Sequence, residues 1–524
     1  MLGAVAALAL ANLGQPFIWD GAFFMLSAQK LAAGARLYRD VWDVKQPGLF
    51  WFFLEAGRVF RFDEVGARAL DAAWMCSLAL VMRATLAGAF VRPWFAGLAA
   101  LLSVGYGYAF ADGTHLGQVE WLVALPLFVS FWAALRARGS ARAWAPWALA
   151  AGLAGGAVLV FKLALLPLVG TLWLVAFWPL CAGGANVAGA PARDWTAPRA
   201  VAALALACAA VAAVAAAVIA RFASEGTLDL VRWTFLTLPP RILAGMHGVR
   251  IKPLGEAIGW FLPRWAPVLA LAFAGATARG RDRWTAGMVA WLGMGLVVFL
   301  VQRFSYWPYH FMLFVVPLGV LAARGVEALE GAFAREAPGS RVGVRVAGIV
   351  ALACLWAILS GAEKGVYLAH DRFLTTDAMV RRSHLRFSRN GVYGKVLAEV
   401  RFLSEPGARP GPIFVVGDPL FTWLSGRRQA GPRNPGMLFE FMQPDEWAAC
   451  ARDLAASHAA YVFVQDAFSL DRAPVSARSG AFRAELAAHW RATRTGAAGT
   501  WYEPRDAAVP ATGDAAPPAP AGRP

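Results

Sequence analysis

Charge is the first thing this chain is short of. Only 16% of its 524 residues are Asp, Glu, Lys or Arg, while 59% are hydrophobic. A soluble domain carries about 25% charged and 45–50% apolar residues, so an ordinary soluble enzyme is excluded. Cysteine is scarce too. The five, Cys76, Cys181, Cys208, Cys354 and Cys450, show neither CxxC nor ligand spacing, which excludes a disulfide framework and a structural zinc site. No GxGxxG, P-loop, HExxH or GxSxG occurs in useful context, so soluble nucleotide and protease chemistry have no support. A basic n-region is missing from the N-terminus, and residues 1–18 are expected to stay as a first membrane span.

What the chain does have is long apolar runs with almost no charge. A helix of about 17–25 apolar residues crosses ~30 Å of hydrocarbon. Further crossings are expected at 67–91, 94–111, 121–135, 145–160, 163–180, 199–219, 258–276, 286–301, 307–323 and 344–360. With the first span this makes about eleven, and the fold class is a polytopic α-helical membrane protein. Residues 47–60 are apolar but short, which suits an interfacial or re-entrant helix.

The formal net charge is +16, from 49 Lys+Arg against 33 Asp+Glu. Much of that excess falls in short loops, so the positive-inside bias and an anionic lipid surface explain it without nucleic acid. With the N-terminus inside, the inner loops hold Arg92; Arg136, Arg138 and Arg142; Arg193; Arg279, Arg281 and Arg283; and Arg324, Arg335 and Arg341. The outer face then receives 19–61, 112–120, 221–260, the Arg303 turn and everything after residue 361. Residues 1–360 form the transmembrane module, with 19–61 as its outer loop. Residues 361–503 alternate polar helical stretches with two β-like runs, PIFVVGD (412–418) and AYVFVQD (460–466), and read as a small extracytoplasmic α/β domain. Residues 504–524 are a disordered Pro/Ala-rich tail.

The ionisable groups gather at the outer ends. The opening loop holds Asp20, then YRDVWDVKQPG with Tyr38, Arg39, Asp40 and Lys45. ADGTHLGQVEW supplies Asp112, His115 and Glu120, and QRFSYWPYHF supplies Arg303, Tyr309 and His310. Lys162 is the one charge in a long apolar stretch. At the bilayer centre a lysine costs roughly 2.5–3.5 kcal/mol; at an outer turn it costs less and faces the carboxylates, although a snorkelling lysine would look the same. Such a convergence suits transfer from a phosphate-linked lipid donor. A carboxylate takes the acceptor's proton, lysines and arginines hold the phosphate leaving group, and aromatics stack on a sugar or prenyl unit.

At these residues the sequence resembles GT-C type membrane glycosyltransferases, the family of protein O-mannosyltransferases and the bacterial aminoarabinose transferase. The matching segments are Asp20-Gly21, LAAG (31–34), YRD (38–40), KQPG (45–48), QVEWL (118–122), VFKLALL (160–166), RFSYWPYHFMLFVVPL (303–318) and FVVGDPLFTWLSGRRQA (414–430). The resemblance implies an inverting transfer from a polyprenyl-phosphate-linked sugar donor to a lipid, glycan or protein acceptor, at the outer face of a bacterial inner membrane. It makes Asp20 the base, and Asp112 or Glu120 the second acid. Lys45 and Arg303 fall on the phosphate side, with Tyr309 and His310 at the donor pocket. Gly21 replaces the usual second acid and Gln46 the first proline of Lys-Pro-Pro, so no cofactor is assigned and a divalent metal stays open. Two other readings use the same residues: a transporter or lipid flippase with Lys162 inside the membrane, and a non-catalytic scaffold, which Gly21 raises.

Overall fold

The computed structural model describes residues 1–178, 195–245, 252–278, 282–301, 305–336, 341–373 and 392–505. Arg193, Arg279, Arg281, Arg303, Cys181 and the tail from residue 506 lie outside the described residues. Two compact units divide between Gly394 and Lys395.

The first unit is built from helices. Among the described residues, eight are long and apolar enough to cross a membrane: Glu64–Leu86, Val119–Gly139, Trp144–Phe161, Ala197–Ser224, Leu254–Thr277, Arg283–Val301, Pro308–Arg335 and Val344–Val366. Two shorter apolar helices, Trp94–Phe110 and Leu163–Phe177, stand among them. The expected first span differs. It contains a helix of only nine residues, Leu2–Leu10, about 14 Å long. Turns at 11–14 end it ahead of Pro16, and the Asn12 amide donates to the carbonyls of Leu8 (2.8 Å) and Tyr108 (3.1 Å). Pro47–Val59 is a helix of 13 residues opened by its proline, where the missing N–H costs nothing, and is too short to cross.

The charges separate toward two ends. Glu120 opens the helix whose last turn carries Arg138, which sets them about 27 Å apart along the axis. At the Arg138 end, Arg138 and Arg283 both donate to the carbonyl of Trp178 (3.2 Å each). Arg324 pairs with Asp282 and with Glu327 (2.8 Å), and Arg92 pairs with Glu330 (2.8 Å). These arginines come from four loops expected on one face. The Glu120 end holds the lysines, histidines and carboxylates taken up below.

The second unit carries a four-stranded sheet: β1 (Ile413–Val416), β2 (Tyr461–Gln465), β3 (Trp490–Thr495) and β4 (Gly499–Pro504), in the order β1-β2-β4-β3. β1 and β2 run parallel with Ile413 opposite Tyr461, and the helix Pro444–Ala456 lies on the crossover that parallel pairing requires. Phe414, Phe463, Trp447, Phe482 and Trp501 are fully buried around the sheet. The hairpin β3–β4 was not expected. Its strand WRATRT is exposed over five of its six residues, so no apolar run marks it.

Candidate active site

Asp20 is the first residue of the helix Asp20–Ala32. A helix N-terminus favours a carboxylate, because its first amides lack intrahelical partners and its dipole is positive there. Trp19 before it takes a left-handed backbone, φ 51°, a conformation that costs of order 1–3 kcal/mol and clusters at functional sites. Oδ2 of Asp20 meets Lys45 Nζ at 3.2 Å and accepts from Gln118 Nε2 at 3.3 Å.

The loop 33–46 presents Lys45. Tyr38, also left-handed at φ 67°, is buried between Phe222 and Phe235 (5.5 and 5.4 Å) and donates its hydroxyl to the Lys45 carbonyl at 2.9 Å. Burial pushes its phenol well above the usual range, and Asp43 adds to the shift. Asp40 accepts from the Arg36 amide at 2.7 Å and closes the turn; Arg39 stands exposed. Tyr38 and Asp40 thus build the loop, and Lys45 is its product. The Lys45 ammonium lies 5.1 Å from the Phe24 ring centre, and its amide donates to Asp43 at 3.0 Å. Burial pulls the ammonium's pKa down, but Asp20 and Asp43 more than offset it, leaving it above the ordinary lysine value. Asp43 is raised, by burial first, with Lys45 opposing and Asp20 reinforcing.

A second pair stands beside the first. Glu120 is buried, accepts from Lys162 at 2.5 Å, and lies 3.7 Å from His310 Nε2. Nδ1 of His310 is buried without a hydrogen-bond partner among the described residues, and its ring meets Tyr309 edge-on at 4.5 Å. The charge of Glu120 reaches Lys45, and Asp20, Asp43 and Glu120 all act on the Tyr309 hydroxyl. Asp20, Asp43, Lys45, Glu120, Lys162, Tyr309 and His310 therefore form one cluster. Gly48 makes the junction close: a Cβ there would sit 2.9 Å from the Val160 carbonyl oxygen, two residues before Lys162.

Asp112 belongs elsewhere. Its Oδ1 takes His115 Nδ1 at 2.7 Å and Thr114 Oγ1 at 2.5 Å, and His115 stacks on Trp260 at 4.3 Å. Burial pushes the Asp112 carboxyl up, but His115 and Thr114 overcome it and hold it well below the carboxylate range. Asp112 locks the loop from which Gln118 and Glu120 project.

Three residues of that support escaped the sequence reading. Arg68, buried in the helix Glu64–Leu86, donates to the carbonyls of Gln15, Pro16, Gly113 and Leu116 at 2.9–3.3 Å. Asp71, one turn on, accepts from Tyr108 (2.6 Å), the Gly117 amide (2.9 Å) and Trp121 (3.2 Å). Buried Lys364 likewise donates to Asn12 (3.1 Å), Tyr108 (2.7 Å) and the Ala111 carbonyl. The signal was available: an Arg and an Asp three apart inside an apolar run share one helix face.

A divalent cation does not fit these donors. Oδ2 of Asp20 already serves Lys45 and Gln118, Oε1 of Glu120 serves Lys162, and Gly21 brings no carboxylate. Among the described residues no three His, Cys, Asp or Glu side chains are placed so that they could hold one metal ion.

No protein-family model matches the chain, and no curated protein matches it. Solved structures do. The aminoarabinose transferase ArnT from Cupriavidus metallidurans bound to undecaprenyl phosphate superimposes with a TM-score of 0.55 at 14% identity, covering 95% of this chain and 96% of that one. The apo state of the same protein gives 0.53, with the same identity and coverage. At such identity the likeness speaks for the fold alone: the chain has the fold of ArnT, the GT-C fold that its motifs resemble, and eight described helices long and apolar enough to cross a membrane.

Proposed function

We propose that this protein transfers a sugar from a polyprenyl-phosphate-linked donor to an acceptor at the outer face of a bacterial inner membrane. The observation that carries the reading is the juxtaposition of two carboxylate–lysine pairs, Asp20–Lys45 and Glu120–Lys162, with His310 and Tyr309 beside them. The ArnT structure holds undecaprenyl phosphate, which supports a phosphate-linked lipid as carrier.

In this reading the acceptor's nucleophile attacks C1 of the sugar while Asp20 takes its proton. The bond between C1 and the phosphate oxygen breaks with inversion, and polyprenyl phosphate leaves with the bonding electrons. Lys45 and Lys162 turn from their carboxylates toward that phosphate, with Arg303 as a third cation. Charge-assisted bonds formed as the leaving group develops lower the barrier more than bonds made equally to the ground state. Glu120 is the second acid, since it shares the Asp20 cluster and Asp112 does not. Tyr309 and His310 line the donor pocket. No step runs through a metal.

Counting Trp94–Phe110 and Leu163–Phe177 as crossings brings the spans to ten. The test is mass spectrometry of envelope lipids, glycans and proteins from cells with and without the chain. Loss of one defined sugar increment, restored by the wild type and not by Asp20→Asn, is the expected result; unchanged profiles overturn the reading.

A further inference from the structure

The second unit has a cleft that none of the chemistry above uses. Its volume is about 500 Å³, within the roughly 300–1,000 Å³ of small-ligand sites. We propose that this cleft is a binding site for a neutral saccharide.

The floor is the sheet. Val464 of β2 lies opposite Thr500 of β4, and Ala492 of β3 lies opposite Tyr502; all four line the cleft. The helix Gly480–His489 supplies a wall through Arg483 and Leu486. β2 pairs with β1 on one edge and with β4 on the other, and the cleft lies on the β4 side, taking in Gln465 and Asp466 at the carboxyl end of β2.

The rim selects the class of ligand. Asp466, Asp471, Arg483 and Arg505 all line the cleft, so its formal charge is balanced and an ionic ligand gains no net attraction. Vicinal hydroxyls both donate and accept, and a rim offering carboxylate acceptors beside guanidinium donors matches them. Arg483 is oriented by Asp471 at 3.4 Å. The Arg505 Nε donates to the Trp490 carbonyl at 3.1 Å, which sets its guanidinium plane. Tyr502 contributes an aromatic face on which a sugar ring packs. Its phenol is raised by burial and then by Asp471 and Asp466, and so stays a neutral donor. The proposal goes beyond the transfer reaction, since binding here is measured without any transfer.

The experiment uses the full chain in nanodiscs, free of maltoside detergents whose headgroups are themselves saccharides. Saturation-transfer NMR is recorded with mannose, galactose, N-acetylglucosamine, glucuronate and glucosamine. The expected result is transfer to one or more neutral sugars, reduced at least fivefold in Asp466→Ala and in Tyr502→Leu, with both variants unfolding at the wild-type temperature. Asp466 is exposed, so its replacement leaves the fold intact and keeps the test decisive if Tyr502→Leu fails to fold. Transfer to none of the sugars, transfer that survives both substitutions, or a preference for glucuronate or glucosamine would each overturn the proposal. Any of these leaves the membrane-site reading standing.

Discussion

Gln118 and Lys45 meet on the same oxygen of Asp20, Oδ2, at 3.3 and 3.2 Å. Both contacts fall on one side of the carboxylate, which leaves Oδ1 as the oxygen to receive a proton. Asp20→Asn is therefore expected to remove transfer by a factor of about 10²–10⁴, the worth of a positioned base, while the protein keeps its unfolding temperature. Gln118→Leu loses one hydrogen bond to an ionised group, about 1.5–3 kcal/mol, and transfer is expected to fall roughly ten- to a hundredfold. Activity assays on purified membranes check both.

Lys162→Met strands the buried carboxylate of Glu120. Breaking such a pair by removing one partner costs about 3–5 kcal/mol, whereas replacing both is often neutral. The single variant should unfold at a clearly lower temperature, and Glu120→Gln/Lys162→Met should recover most of that loss without recovering transfer. A stable single variant would mean that Glu120 finds another cation.

Arg68→Met removes one donor group from four carbonyls at once. The expected effect is a loss of about 3 kcal/mol or more, since each buried acceptor left unpaired costs roughly 1–3 kcal/mol. Protease cleavage within 112–118 should appear before cleavage elsewhere in the helical unit.

The Asp112–His115 lock predicts a pH window. The folded carboxyl titrates below its unfolded value near 3.9, so its contribution to stability is present above about pH 4 and disappears as pH falls through the folded value. The gap in unfolding temperature between wild type and Asp112→Asn should shrink as the pH falls below 4. A gap that widens on acidification would contradict the assignment.

Sidedness has its own measurement. A single cysteine at exposed Arg39 should react with an impermeant maleimide from outside intact cells, and one at exposed Arg92 only after lysis.

Much of this architecture was legible because lipid imposes a simple rule. Runs with almost no charge, such as 258–276 with Arg264 alone and 286–301 with none, have no soluble alternative, and helices fill both. Charged residues at the ends of those runs stood out against them, which is why Asp20, Lys45, Glu120, Lys162 and His310 could be named. Composition could not say which acid joins which lysine. Asp112 and Glu120 are eight residues apart in one polar segment, and only the turn at Gly117, φ 73°, held by Asp71 sends them to different partners. Tyr38 and Asp40 looked like ligands because they are polar and near Lys45, yet their bonds run to backbone. β3 hid for the opposite reason, being a strand with no buried stripe.

Gly48 fixes more than a close approach. With no side chain between its helix and the Val160 carbonyl, the backbone carrying Lys45 abuts the backbone carrying Lys162. The two lysines thus hang from a common bracket, and the span between the points where their stems begin is a property of main chain. A methyl group at that point, Gly48→Ala, would act as a shim. It would change the gauge of the site without touching any of its charges.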